Sequence, residues 1–178
     1  MQVWKFGGTS VGKPERMKSI RSLITEDGQP KIVVLSALSG STNTLLSISE
    51  SLNAGNLVEA KSKASELRAH YDQFLTELYS TPAGLGQGQA IVAKEFTFID
   101  SLIATSPYTV KQEKEMVALG ELLSTQIFEA FLQEEGISSA LLPALDFMVI
   151  DEDNEPILKV IEQKLAAVLA PVKDKQIF

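Results

Sequence analysis

A continuous run of aliphatic, mostly β-branched residues from Lys31 to Leu35 constrains the fold of this chain more than any other feature. Such a short run between turn residues is typical of a strand covered on both faces in a parallel sheet. Val3 to Phe6 is a second short β-rich segment, which Gly7-Gly8 ends. Between them, Pro14 to Ile24 has the apolar spacing of an amphipathic helix. This strand–helix–strand order predicts a βαβ unit, and therefore an α/β fold with a largely parallel sheet.

After the second strand, the apolar spacing predicts mainly helices. Two of them lie between residues 57 and 104, separated at Pro82 to Gly88, where three glycines occur. We interpret this pair as a helical insertion in the α/β domain. The remaining predicted elements are helices over Thr42–Leu52, Met116–Phe131 (ending before Gly136) and Ile157–Val168, and strands over Ser138–Leu142 and Phe147–Ile150.

The C-terminus ends on two apolar residues, Ile177 and Phe178. By the alternation of elements, Gln176 should begin another buried strand. Chain termini are usually polar and exposed, so we expect a truncated chain rather than a naturally apolar end.

Composition excludes several classes of function. A net charge of −7 argues against a nucleic-acid partner, because phosphate backbones are bound through excess Lys and Arg. The absence of cysteine excludes disulfides and thiolate metal sites. The N-terminal residues lack the order of a signal peptide, and no apolar run reaches the length of a membrane span. We therefore predict a cytoplasmic protein with no nucleic-acid or membrane partner and no metal-ligating residues.

The most informative motif is Lys5-Phe6-Gly7-Gly8-Thr9-Ser10-Val11-Gly12, where the first strand turns towards a helix. Adjacent glycines let the backbone approach a bound group closely, and amides at such a turn can bind an anion. Lys5 lies at the carboxyl end of the strand, where open α/β sheets bind ligands. Its charge could stabilise a phosphoryl group during transfer. A plain glycine turn with a solvated Lys5 explains the same residues equally well.

Part of this motif imitates another phosphate-binding loop. Gly7 to Lys13 fits the beginning of a P-loop, but Pro14 stands where a Ser or Thr would hold Mg²⁺. We therefore reject the P-loop.

Two further segments carry candidate binding residues. Ser36 to Asn43 is rich in hydroxyls beside a helix N-terminus, which suits a carboxylate or phosphate, although helix capping explains much of it. Glu121 follows Gly120 in the middle of a predicted helix, and a glycine there suggests close backbone packing. A carboxylate at such a contact could hold an ammonium group, although an ordinary exposed glutamate remains the alternative.

Taken in series, these segments resemble the aspartate kinases of the amino-acid-kinase superfamily. Lys5 to Val11 is similar to the opening signature of that family. The segments Val34 to Asn43 and Gly120 to Ser124 match it in order and approximate spacing, so the resemblance extends over the whole chain.

The resemblance implies a three-layer αβα sandwich and ATP-dependent phosphorylation of the L-aspartate side-chain carboxylate, which opens the pathway to lysine, threonine and methionine. ATP with Mg²⁺ would be the phosphoryl donor, and a homo-oligomer is expected for the full-length protein. By carry-over, Lys5 would be catalytic and would bind phosphate together with Gly7, Gly8, Thr9 and Ser10. Ser36 and Thr42 would hold aspartate, and Glu121 would pair with its ammonium group.

The family's later motifs have no counterpart here. We therefore expect residues 1–178 to be the N-terminal part of one catalytic domain, lacking the nucleotide-binding half and the regulatory ACT domains, and inactive alone. Two alternatives stay open. The chain could belong to another amino-acid kinase, acting on glutamate or acetylglutamate, or it could be a non-catalytic binding or oligomerisation module.

Overall fold

Two parallel strands form the regular sheet of the protein. The computed structural model describes all residues from Met1 to Phe178. Strand β1 is Gln2–Phe6 and strand β2 is Lys31–Leu35, and they pair in parallel along their whole length. Helices α1 (Gly8–Val11) and α2 (Pro14–Thr25) connect them. The predicted βαβ unit is confirmed.

The C-terminal residues extend this sheet beyond β2. Ile177 forms parallel bridges with Lys31 on one side and with Ser139 on the other. The Val33 amide donates to the Phe178 carbonyl at 2.8 Å, which continues the pairing. Of the buried strand predicted from Gln176 onward, the burial of Ile177 and Phe178 is confirmed, but the segment joins the sheet through isolated bridges. The predicted strand Ser138–Leu142 forms only at its beginning, through the bridge at Ser139 and the Ala140 amide, which donates to the Ile177 carbonyl at 2.9 Å.

Six helices follow β2. They are α3 (Ser41–Asn53), α4 (Leu57–Leu78), α5 (Pro82–Ile103), α6 (Val110–Glu134), α7 (Ala144–Phe147) and α8 (Leu158–Leu169), the last continued by a 3-10 turn at Ala170–Val172. Helices α4 and α5 form the predicted insertion as a hairpin, which packs against α3 through α4 and against α6 through α5. None of the helices combines the length and apolar character that a membrane span requires.

The predicted break at Pro82–Gly88 is wrong, because this segment forms the beginning of α5. Pro82 occupies the first turn, and the Thr81 hydroxyl accepts a hydrogen bond from the Gly84 amide at 3.0 Å. At Gly88, a Cβ atom would lie 2.5 Å from the Tyr79 ring. Gly88 therefore allows a close approach of the Tyr79 ring to α5 and does not end the helix.

The predicted strand Phe147–Ile150 is also wrong. Phe147 ends the short helix α7, and Ile150 forms a single antiparallel bridge with Pro156. The turn between the bridged residues contains Asn154 at φ 64°, a left-handed conformation that asparagine tolerates. Across this turn, the Ile157 amide donates to the Val149 carbonyl and the Asp151 amide to the Glu155 carbonyl, each at 2.9 Å, so the pairing is confined to a few residues.

The helices bury one face of the sheet far better than the other. Trp4, Phe6 and Val33 lie on the face that packs against the main hydrophobic core. On the opposite face, Val3 is 65% exposed and Val34 is 44% exposed. The prediction that Lys31–Leu35 is covered on both faces is therefore wrong for this chain, since no element buries Val34.

Candidate functional site

The carboxyl ends of β1 and β2 lie side by side and set the position of the candidate site. The Ser36 amide, just after β2, donates to the carbonyl of Phe6 at the end of β1 at 3.0 Å. This bond aligns the loop of residues 7–12 with the loop of residues 36–40. Both loops lie at the edge where parallel sheets usually bind ligands.

The two loops interlock through glycines. A Cβ atom on Gly8 would lie 3.0 Å from the Ala37 carbonyl oxygen, and one on Gly12 would lie 2.6 Å from the Cβ of Ser39. Side chains at these positions would force the loops apart. Gly12 and Ser39 were not among the predicted site residues, although Gly12 ends the glycine-rich motif that begins at Lys5.

Helix α6 brings the candidate glutamate to the same place. A Cβ atom on Gly120 would lie 2.8 Å from the Cβ of Ala37, so the close packing predicted at this glycine is confirmed. The next residue, Glu121, accepts a long hydrogen bond of 3.4 Å from the Ala37 amide. Its carboxylate is exposed, so it can also meet a ligand.

Thr42 completes this cluster from the beginning of α3. Its hydroxyl oxygen lies 3.8 Å from the Cβ position of Gly120. Gly8 of the first loop and Gly120 and Glu121 of α6 therefore contact Ala37, Ser36 precedes it in the chain, and Thr42 lies beside Gly120. We call this meeting point of four chain segments the Ala37 junction.

Lys5 lies at the end of β1, opposite Val34 of β2, and is exposed. Its Nζ atom is 3.8 Å from the Cβ position of Gly7, so the ammonium group reaches back over the glycine turn. This arrangement places a positive charge beside Gly7, which together with Gly8 was predicted to cradle a phosphoryl group.

Thr9 and Ser10 face a different surface. Both line an open groove of about 310 Å³ between α1 and α2, to which neither Lys5 nor the junction residues contribute. Arg16 also lines this groove, and its guanidinium donates to the Thr9 carbonyl. The predicted site residues are therefore divided between the Ala37 junction with its glycine turn and this groove.

A buried tyrosine supports the junction from behind. Tyr71 of α4 is fully buried, and its hydroxyl donates to the Ser41 hydroxyl oxygen at 3.0 Å. Burial raises the pKa of Tyr71 to about 12, the bond to Ser41 opposes that rise, and the negative charge of Glu121 adds to it. In the sequence, Tyr71 is one of the apolar residues whose spacing predicts the first helix between residues 57 and 104, and this spacing does not indicate a partner for its hydroxyl.

The side chains present do not fit a metal centre. No group of three His, Cys, Asp or Glu side chains comes together in this chain. A divalent cation held by protein carboxylates would need such a cluster or additional ligands.

The chain matches a protein-family model over nearly its whole length. The model of the amino acid kinase family matches residues 1–177. Aspartokinase 2, chloroplastic, of Arabidopsis thaliana is 30% identical over 173 residues, which cover 93% of this chain and 30% of the relative. Lysine-sensitive aspartokinase 3 of Escherichia coli K12 is 30% identical over 139 residues, covering 77% of this chain and 29% of the relative. The chain thus spans about 30% of the length of these relatives.

Solved structures match the fold. E. coli aspartokinase III in complex with aspartate and ADP superposes with a TM-score of 0.80 at 24% identity, covering 99% of this chain and 39% of that chain. The same enzyme in complex with lysine and aspartate also gives a TM-score of 0.80, at 25% identity. These matches confirm the fold that was predicted for the chain.

Proposed function

From the premise that the chain belongs to the amino acid kinase family, we propose that it forms the N-terminal part of an aspartate kinase catalytic domain. The reaction is transfer of the ATP γ-phosphoryl group to the side-chain carboxylate of L-aspartate. Residues 1–178 supply the amino-acid side of the site, and the α4–α5 hairpin is an insertion within the same domain.

The observation that carries this proposal is the Ala37 junction. Two segments that are distant in sequence, one with Ser36 and Thr42 and the other with Glu121, meet at one residue beside the glycine turn. An exposed carboxylate next to hydroxyl groups and the beginning of a 13-residue helix suits a zwitterionic amino acid. Glu121 pairs with the α-ammonium group, while Thr42 and Ser36 hold a carboxylate.

Lys5 supplies the charge that the transfer requires. Phosphoryl transfer depends on positioning and on neutralising charge on the phosphoryl oxygens, and needs little covalent chemistry from the protein. The Lys5 ammonium group over the glycine turn neutralises that charge, and the Gly7 and Gly8 amides donate to the same oxygens. Thr9 and Ser10 contact phosphate only if α1 turns towards the junction, because they line the neighbouring groove.

Binding of L-aspartate to the 178-residue chain tests the amino-acid side of the site. Isothermal titration should show binding that Glu121→Gln weakens about tenfold or more, since a hydrogen bond to a charged group contributes roughly 1.5–3 kcal/mol. Glu129→Gln is the matched control, because Glu129 lies on the same helix but lines a groove away from Ala37. Stronger binding of L-glutamate or N-acetylglutamate would favour another amino-acid kinase. If Glu121→Gln and Glu129→Gln bound L-aspartate with equal affinity, Glu121 would not pair with the ammonium group.

Turnover tests the phosphoryl-transfer side. We expect the 178-residue chain to consume ATP with aspartate no faster than a blank, because no residue assigned here contacts adenine. Robust aspartate kinase activity from a sample of confirmed mass would show that the site is complete and would contradict this expectation.

The remaining parts of the proposal concern the surroundings of the site. ATP binds as its Mg²⁺ complex, and the cation is held by the phosphates, because residues 1–178 form no cluster of three His, Cys, Asp or Glu side chains. The longer protein is a homo-oligomer, and its compartment is the cytoplasm.

A further inference from the structure

Helix α4 of the hairpin holds α3 near both of its ends. Near the C-terminal end of α3, the Lys63 ammonium group donates to the Ser51 hydroxyl at 2.9 Å and to the Ser47 carbonyl at 3.3 Å. At the N-terminal end, the Tyr71 hydroxyl donates to the Ser41 hydroxyl oxygen at 3.0 Å. The insertion is thus bonded to the helix that carries Thr42.

The contact at the N-terminal end is the more deeply buried of the two. Tyr71 is 0% exposed and Ser41 is 1% exposed, so water cannot replace either partner. The ring of Tyr71 meets Phe96 of α5 edge to face, with centroids 6.0 Å apart, which fixes the direction of the hydroxyl. The Tyr71 hydroxyl of α4 is therefore a rigidly held donor to Ser41, the first residue of α3.

The position of Ser41 determines the position of Thr42. Gly40 precedes it at φ 88°, a left-handed conformation with no side chain to restrict the loop. The beginning of α3 shows no side-chain cap of its own. Within the turn, the Thr44 hydroxyl donates to the Gly40 carbonyl at 3.2 Å. The bond from Tyr71 is the side-chain hydrogen bond that ties this turn to another helix, and Thr42 is the next residue in the chain.

We infer that Tyr71 is a positioning residue, which fixes the first turn of α3 through Ser41 and so places the Thr42 hydroxyl for the amino-acid substrate. The effect of Tyr71 on substrate binding rests on the proposed function, whereas its effect on the first turn of α3 does not.

The test compares Tyr71→Phe with Tyr108→Phe in the 178-residue chain. Tyr108 makes a matched hydroxyl contact of 2.7 Å with Ser49, farther along the same helix. The first readout is hydrogen exchange at the Ser41 and Thr44 amides, which donate to the Leu38 and Gly40 carbonyls at 3.0 Å. Tyr71→Phe should accelerate exchange there about fivefold, the equivalent of one net hydrogen bond, while Tyr108→Phe should leave it unchanged.

The second readout is the affinity for L-aspartate. Tyr71→Phe should lower it about fivefold and Tyr108→Phe should not. Ser41→Ala should match Tyr71→Phe, and the double variant should lose no more than either single one, because both remove the same bond.

The outcomes separate the two proposals. Equal exchange at Ser41 and Thr44 in both tyrosine variants overturns the inference. Accelerated exchange in Tyr71→Phe with unchanged aspartate affinity also overturns it, because the turn would then not control the site. Failure of the unaltered chain to bind L-aspartate counts against the proposed function, and the exchange result then decides whether Tyr71 fixes the turn.

Discussion

The α4–α5 hairpin and the segment of residues 141–175 are both mainly helical, yet they differ in how well they are buried. The hairpin contributes many of the most buried side chains, among them Ala60, Tyr71, Leu75, Val92 and Ile99, each at 0% exposure. No residue from 141 to 175 is buried. In that segment Leu145 is 78% exposed and Leu158 is 74% exposed.

The difference teaches that an amphipathic pattern specifies a helix but not its partner. Helix α8 has the apolar spacing of a packed helix, and it packs mainly against α7 and the 3-10 turn that follows it. The hairpin instead packs against α3 and α6, and each of its helices covers the other. Helical stability in proteins comes mostly from such packing, so the two regions should respond differently to substitution.

The largest expected effect is the loss of an aromatic side chain from the hairpin. Phe96→Ala should lower the free energy of unfolding by about 3–5 kcal/mol, because it opens a cavity in the core. Leu165→Ala in α8 should cost less than about 1 kcal/mol, since this side chain is only partly buried. Urea denaturation of both variants measures the difference. Similar losses would show that α8 is packed as firmly as the hairpin.

A smaller effect should appear at alkaline pH. Burial raises the pKa of Tyr71 from 10.0 to about 12, so the folded state favours the protonated hydroxyl. The contribution of the protonated Tyr71 hydroxyl to the free energy of unfolding is complete below pH 10 and is lost as the pH rises towards 12. Two pKa units correspond to about 3 kcal/mol. Between pH 9 and pH 11.5, the free energy of unfolding should therefore fall less in Tyr71→Phe than in the unaltered chain.

The segment of residues 141–175 contains no tyrosine, so it has no phenol hydroxyl that could contribute to this fall. Burial also raises the pKa of Tyr79, with the charge of Glu134 adding to the effect, so some alkaline sensitivity should persist in Tyr71→Phe. An identical alkaline fall in both proteins would contradict the raised pKa of Tyr71.

The smallest expected effect concerns two glycines of α5. Gly86 is exposed and has open space around its Cβ position, so Gly86→Ala should stabilise the protein by about 0.5–1 kcal/mol. Gly88→Ala should not, because its Cβ would lie 2.5 Å from the Tyr79 ring. Thermal unfolding of both variants tests whether the packing of the hairpin is as tight as described. A gain in stability for Gly88→Ala would indicate a looser contact between α5 and the Tyr79 ring.

Elements whose local pattern matched their packing could be predicted from sequence. Strand β2 was placed at its observed limits, and the long helix α6 ended before Gly136, which adopts φ 71°. The predicted break at Pro82–Gly88 was wrong because glycine occurs both in turns and at close contacts within helices. The sequence alone does not distinguish these two roles. Coverage of Val34 could not be predicted either, since a β-branched run says nothing about which faces find a partner.

The candidate site shows the same limit. The motifs identified Gly8, Thr42 and Glu121 as candidates, but Ala37, around which they assemble, has no chemistry that marks it. Tyr71 was hidden in an apolar stripe because its hydroxyl partner lies 30 residues earlier. Which side chains share a surface depends on tertiary packing, and so the separation of Thr9 and Ser10 from the junction required the structure.

The pairing of Ile177 with Lys31 and Ser139 has a consequence for the order of folding. The contacts within the hairpin are local, whereas the bridge to Lys31 closes a loop that contains nearly the whole chain. Closing such a loop costs entropy before any contact compensates for it, and non-local pairing slows folding. We expect the hairpin to form early, and the sheet to acquire its Gln176–Phe178 segment in the last and slowest step.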